Sequence, residues 1–147
     1  MDIDTELKIW AAGAFDGEGT IAMSIYKSGG SQLLVGIGNT DFRMIKPFLL
    51  TWGGTLSTQT KGYKGRKENG NGLSKRSFWL HFRRKEAKKL LQDILPYLRV
   101  RGELAQFALR VIEAEERAIM ENKAIGRVTS EFHSEYLTLR QELHNIL

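Results

Sequence analysis

Cysteine is absent, which excludes disulfide cross-links, thiolate metal sites and a cysteine nucleophile. Proline occurs only twice, so interruption of a helix by proline is expected only at Pro47 and Pro96. No apolar run approaches the roughly 20 residues that span a bilayer. The N-terminus carries Asp2, Asp4 and Glu6, unlike the basic start of a secretory signal. No membrane partner is therefore expected, and the location is expected to be intracellular: cytoplasm, nucleoid or an organelle matrix. The 147 residues, 41% hydrophobic and 27% charged, have ordinary globular proportions, which excludes disorder and fibrous repeats and suits one compact domain.

The net charge of +5 is unevenly spread. Residues 1–60 hold four basic and six acidic residues, residues 61–101 thirteen and three, and residues 102–147 five and eight. The three segments therefore carry −2, +10 and −3. A dense basic stretch between acidic ones points to a surface for a polyanion rather than to general solubility.

Hydrophobic periodicity orders the elements. A helix starts at Asp4 or Thr5, runs through Leu7, Trp10, Ala11, Ala14 and Phe15, and ends at Gly17 and Gly19. Residues 20–28 and 32–39 alternate on either side of Ser28-Gly29-Gly30-Ser31 and read as a hairpin, with Ile21, Met23, Ile25, Leu33, Val35 and Ile37 inward. Asn39-Thr40-Asp41 caps a second helix, Phe42 to Trp52, which Pro47 is expected to kink or shorten. Residues 55–61 and 75–82 form a second hairpin, with Phe78, Leu80 and Phe82 inward, across a basic, glycine-rich loop from Gly62 to Ser74. A third helix, Lys85 to Leu95, stops at Pro96. A fourth runs from Gly102 and breaks at Gly126. A last one, capped by Thr129 or Ser130, carries Phe132, Tyr136, Leu139 and Leu143 as its stripe. This order predicts an α+β fold in a single domain, residues 1–147: an αββαββα core over about residues 5–115, built on an antiparallel four-stranded sheet with helices on one face, and extra C-terminal helices over about residues 103–147.

The first helix breaks two rules of helix composition. Ala11-Ala12-Gly13-Ala14 strips it of bulk, with Gly13 and Gly17 one turn apart, and Gly13 costs about 1 kcal/mol relative to alanine. Small residues at this spacing let a second helix approach backbone to backbone. Asp16 and Glu18 also stand at the C-terminal end, where the helix dipole disfavours carboxylates by roughly 0.3–1 kcal/mol each. A bound divalent cation reverses that sign, and Glu18 supplies the oxygen donors that Mg²⁺ takes. One such carboxylate is a poor site; two chains packed helix to helix bring two together.

The segment Ala11–Gly19, followed by Thr20-Ile21, resembles the signature of the LAGLIDADG homing endonucleases: Ala12, Gly13, Asp16 and Gly19 match, and Glu18 stands for the second Asp. Ala11, Ala14, Phe15 and Gly17 depart from the namesake letters. The resemblance continues at Asn39-Thr40-Asp41, Gly53-Gly54 and Leu95-Pro96-Tyr97-Leu98-Arg99-Val100-Arg101. One motif per chain implies a homodimer, with Ala12, Gly13, Asp16 and Gly17 at its interface. The resemblance implies that Glu18 and the Gly17 carbonyl are metal ligands for Mg²⁺, or for Mn²⁺ or Ca²⁺ in its place. Asp16 corresponds to a structural acid, Asn39 to a residue that orients water at the scissile phosphate, and Arg43 and Arg101 to basic residues beside the active site. Arg101 cannot carry a proton, because a guanidinium stays charged. The implied activity is site-specific hydrolysis of both strands of double-stranded DNA at a long, roughly palindromic target, with Mg²⁺ assistance. An intron maturase or a DNA-binding regulator of the same fold is the alternative.

The outward face of the sheet is the expected DNA reader. It presents Thr20, Ser24, Tyr26, Gln32, Ser57, Gln59, Lys61, Lys75, Ser77, Trp79 and His81, side chains that suit base edges in a major groove. Lys64, Arg66, Lys67 and the Arg83-Arg84-Lys85 cluster are expected to hold phosphates, which fix register without reading sequence.

Overall fold

The computed structural model describes residues 3–25, 31–60, 76–121 and 130–147. Tyr26, Lys61, Lys64, Arg66, Lys67, Lys75, Gly126, Thr129 and both expected hairpin turns lie outside the described residues. The element order is α1 (Thr5–Glu18), β1 (Gly19–Ile25), β2 (Ser31–Asn39), α2 (Phe42–Trp52), β3 (Thr55–Thr60), β4 (Arg76–Phe82), α3 (Arg84–Ile94), a 3-10 turn (Leu95–Tyr97), α4 (Gly102–Glu121) and α5 (Ser130–Ile146). The four strands pair antiparallel in the order β1-β2-β4-β3. This is the expected α+β arrangement. Among the described residues no helix is long and apolar enough to cross a membrane.

Alternation puts Ile21, Met23, Val35, Ile37, Leu80 and Phe82 on the covered face of the sheet. There they join Ala11, Ala12 and Phe15 of α1, Ile45, Phe48 and Trp52 of α2, and the apolar stripes of α3 and α4 in one core. α1 begins at Asp4, whose carboxylate accepts from the Glu6 N–H (3.2 Å), and passes into β1 within one residue. Gly19 makes that passage possible. Its backbone is extended, but a Cβ would meet the Phe15 ring at 2.6 Å, so only glycine lets the strand leave beneath that ring.

Pro47 does not shorten α2, which runs over 11 residues from Phe42 to Trp52. Proline removes one helical hydrogen bond, yet Ile45, Phe48 and Trp52 are buried on either side of it, and Trp52 Nε1 donates to Asp93 of α3 (2.9 Å). Packing outweighs the local defect. The helix then stops at Gly53 and Gly54, whose φ of 83° and 109° lie in the region that side chains disfavour. The Glu86 carboxylate closes the turn, accepting from Gly54 N (2.7 Å) and Arg83 N (3.0 Å). At Pro96 the chain tightens into the 3-10 turn after α3 ends, one residue earlier than the periodicity placed it.

The last helix has a structural task that its stripe of apolar residues only hints at. Tyr136 is fully buried, and its hydroxyl donates to the carbonyls of Gln32 (2.6 Å) and Ser24 (3.0 Å), a facing pair in the β1–β2 hairpin. Burial pushes its pKa up to about 12, against the pull of the Gln32 backbone contact. Tyr136→Phe is expected to lower the unfolding free energy by about 1–3 kcal/mol, because the carbonyls lose their donor; urea unfolding measures it.

Candidate active site

α1 ends against the start of α4, and the contact is a carboxylate. Asp16 accepts from the backbone N–H groups of Arg99 (2.8 Å), Val100 (3.1 Å) and Arg101 (2.8 Å). The Arg101 guanidinium returns the bond, donating from Nε to the Asp16 carbonyl (3.2 Å). Arg101 precedes α4 directly, and its own carbonyl accepts the first helical bond, from Ala105 N (2.9 Å). Asp16 thus stands at the negative end of its own helix and the positive end of another. Hydrogen bonds to a charged acceptor contribute about 1.5–3 kcal/mol each. At this partly exposed junction they contribute less, yet three of them exceed the dipole penalty of roughly 0.3–1 kcal/mol. Partial burial opposes ionisation, but the N–H groups of Arg99, Arg101 and Val100, together with the Arg101 charge, hold the Asp16 pKa below its ordinary value.

One assignment to a dimer interface is corrected by this geometry. Ala12 is fully buried in the core of its own chain, because its methyl lies on the side of α1 that packs on the sheet. The Asp16 carboxylate, partly exposed, is engaged by the backbone of residues 99–101 of its own chain. Gly13 and Gly17 are exposed, and a Cβ on either would touch nothing within 4 Å. Ile9 (51% exposed) continues the same helical face one turn earlier, and Val100 (76% exposed) stands beside its end. Neither was singled out by sequence reasoning; Ile9 was visible at four-residue spacing from Gly13, and Val100 had no such signal.

Glu18 is exposed and makes no hydrogen bond or ion pair with any described residue. It lines a shallow concavity of about 530 Å³ with Gly38, Asn39, Thr40, Gln59, Ser77, Phe78 and Trp79, at the end of the outward sheet face. Asn39 is brought to this site. Its Oδ1 accepts from Asp41 N (2.8 Å), so the amide nitrogen is the group left to face a ligand. Arg101 reaches the end of α1 through Asp16. Arg43 is not brought in: 91% exposed, it forms a two-point ion pair with Asp41 (2.7–3.1 Å). The Arg43 guanidinium and N–H hold Asp41 at a pKa of about 2. A separate depression of about 550 Å³ between the sheet and α3–α4 includes Arg83, Arg84 and Lys85. Arg84 there is tied to Glu115 (2.9 Å), whose carboxyl burial pushes up against the pull of that arginine.

Thr20, Ser24, Gln32, Ser57, Gln59, Ser77, Trp79 and His81 all fall on the outward rows of the sheet. The Ser77 hydroxyl donates to the Gln59 carbonyl (3.2 Å) and is left only as an acceptor. Three outward positions of β2 carry no polar side chain: Leu34, Gly36 and Gly38. The alternation of residues 32–39 already puts these three outward, but they are absent from the expected set of base-reading residues.

Among the described residues no three His, Cys, Asp or Glu side chains gather as a metal cluster. What the site does offer suits a hard cation: one unpaired carboxylate at Glu18, and the Gly17 carbonyl among the last four of α1, which have no helical partner.

No protein-family model matches the sequence, and no curated protein does. Solved structures do match. The archaeal intron-encoded homing endonuclease I-Vdi141I complexed with DNA superposes with a TM-score of 0.60 at 13% identity, over 97% of this chain and 85% of that one. The group I intron-encoded homing endonuclease I-CeuI complexed with DNA gives 0.59 at 14% identity, over 82% of this chain. This chain spans 60% of the I-CeuI chain's length. The homing endonuclease I-CvuI with its target, in the presence of 2 mM calcium, gives 0.53 at 19% identity, over 95% and 96% of the two chains. The chain has the fold of these homing endonucleases, the α+β arrangement that the LAGLIDADG resemblance implied.

Asp16→Ala is expected to cost about 1–3 kcal/mol of stability, since three N–H groups lose their acceptor. The lowered pKa means the unfolded chain binds the extra proton as acid is added. The Asp16 contribution is therefore present above the ordinary carboxylate pKa and is lost as pH falls below it. Urea midpoints at about pH 5 and about pH 3 should drop less in the variant than in the parent.

Proposed function

We propose that the chain is a site-specific DNA endonuclease that acts as a homodimer and hydrolyses one phosphodiester in each strand of a roughly palindromic target. The observation that carries this reading is Glu18: an exposed carboxylate without a described partner, at the end of a helix whose face is stripped to Gly13 and Gly17. Packing that face against a second copy brings two Glu18 side chains together at the symmetry axis. The likeness of fold to endonucleases solved on DNA supports the substrate. The I-CvuI structures in calcium and in magnesium support a divalent cation.

The Glu18 carboxylate and the Gly17 carbonyl are the groups that would hold Mg²⁺, or Mn²⁺ or Ca²⁺ in its place. When bound, the ion supplies Lewis-acid polarisation of a phosphate oxygen and acidifies a water. The chain's own residues do the rest. Asn39, its oxygen engaged by Asp41, donates from its amide nitrogen to water or phosphate. Arg101, held by its Nε at the end of α1, directs its remaining N–H groups at charge developing on the phosphate and stays protonated throughout. Arg43 joins it by exchanging the exposed Asp41 carboxylate for a phosphate oxygen. The outward rows from Thr20 to Gln32 and from Ser57 to His81 face the bases, and the basic cluster at Arg83 and Lys85 faces the backbone.

Glu18→Gln is expected to abolish Mg²⁺-dependent double-strand cleavage while binding of the same duplex persists in a gel-shift assay. Cleavage at parental rate by that variant would remove Glu18 from the active site. Gly13→Leu is expected to give folded monomers in analytical ultracentrifugation, because its side chain enters open space within one chain and blocks only the approach of a second. A sedimenting dimer would place the interface elsewhere.

A further inference from the structure

Moving away from Glu18, the outward face of β2 presents Gly38, Gly36, Leu34 and then Gln32. The first three have no hydrogen-bonding side chain. On β1, Thr20 stands opposite Gly36, Ala22 opposite Leu34 and Ser24 opposite Gln32, so the apolar strip of β2 is flanked on β1 by a hydroxyl at either end of Ala22. On the other side of β2, Trp79 pairs with Gly38 and His81 with Gly36. The Trp79 ring covers both glycines. A Cβ on Gly36 would press into its Cζ2 and lie 2.8 Å from Cη2; a Cβ on Gly38 would lie 3.0 Å from Cε3. Glycine inside a strand weakens it, and its use marks a place where another group comes close. Here the group is an indole, seated across two strands and still partly exposed beside Glu18.

On the central strand β2 this arrangement removes donors and acceptors where a base reader needs them, and puts the Trp79 ring in their place. It suits base pairs whose groove edge is itself apolar, and the C5-methyl of thymine is the apolar group that the major groove displays. We infer that Trp79, seated on Gly36 and Gly38, is a specificity-determining residue that reads thymine methyl groups in the base pairs next to the cleaved phosphodiester. The inference rests on the DNA-cleaving reading above and deepens it. Polar readout then falls to the side chains around the ring, Thr20 and His81 beside Gly36 and Ser24 and Gln32 further out.

Binding, not cleavage, tests it, so the outcome does not depend on catalysis. Duplexes enriched by the wild-type dimer from a randomised library are expected to show thymine at the inner positions of both half-sites. Replacing those thymines by deoxyuridine should weaken binding about fourfold per position, the weight of one buried methyl group. Trp79→Ala should bind thymine and deoxyuridine duplexes equally, with preferences at the outer positions kept. Trp79→Gln, which restores a polar reader, should move the inner preference away from thymine. Wild-type indifference to deoxyuridine, or the same loss in Trp79→Ala, overturns the role of Trp79 alone. A chain that enriches no sequence overturns both this inference and the endonuclease reading.

Discussion

Asp16 joins two helices end to end, and the geometry of everything near Glu18 follows from that joint. Its carboxylate gathers the N–H groups of Arg99, Val100 and Arg101, so the last turn of α1 is tied to the segment that leads into α4. Alone, α1 would close on a carboxylate that its dipole repels; the three N–H groups of the segment leading into α4 offset that penalty. The joint also fixes the direction in which α1 leaves the core. That direction turns Gly13 and Gly17 outward, sets Glu18 two residues further on at the edge of the sheet's open face, and brings the Arg101 side chain to the same point.

The architecture was legible in the sequence wherever a periodic pattern met an unambiguous breaker. Ile21-Met23 and Val35-Ile37 alternate cleanly, Gly53-Gly54 ends a helix, and the four-stranded sheet with helices on one face follows. The shortening that Pro47 made possible does not occur, because Ile45, Phe48 and Trp52 are buried around it, which only tertiary packing supplies. Asp16 and Glu18 stand out together as carboxylates at the wrong end of a helix, and they part in role: Glu18 is the expected metal ligand and Asp16 the expected structural acid. Asp16 is satisfied by a segment more than eighty residues away, a partnership that spacing along the chain cannot reveal. Ala12 shows the converse, since a small residue in a glycine-rich helix serves close packing within its own chain as readily as between chains.

The outward face of the sheet was legible as a face but not as a graded surface. Listing its polar residues hid that β2 contributes none until Gln32, because positions without side chains leave no chemical signature in a sequence. Their meaning depends on register. Only the pairing of Gly38 with Trp79 and Gly36 with His81 turns two strand-weakening glycines into a seat for one ring. Tyr136 acts at the opposite end of the same two strands, its hydroxyl bridging the carbonyls of Ser24 and Gln32. One end of the β1–β2 surface is thus shaped by an indole lying on it, and the other is braced from beneath by a phenol.

The basic middle of the chain needs the same correction. Its excess of +10 was counted along the sequence, where the neighbouring thirds look separately acidic. In the fold the thirds interleave. Arg84 is bound to Glu115 and Lys88 to Glu116, so α3 uses two of its cations to hold α4 rather than to face a polyanion. Exposed ion pairs count for little in stability, but Glu115 is buried, and a buried carboxylate needs its partner. Those charges are committed to the fold. What remains for a phosphate backbone is carried by residues such as Arg83 and Lys85, at the rim where β4 hands over to α3. The acidic C-terminal third is therefore no obstacle to binding a polyanion, because part of its charge is already answered within the protein.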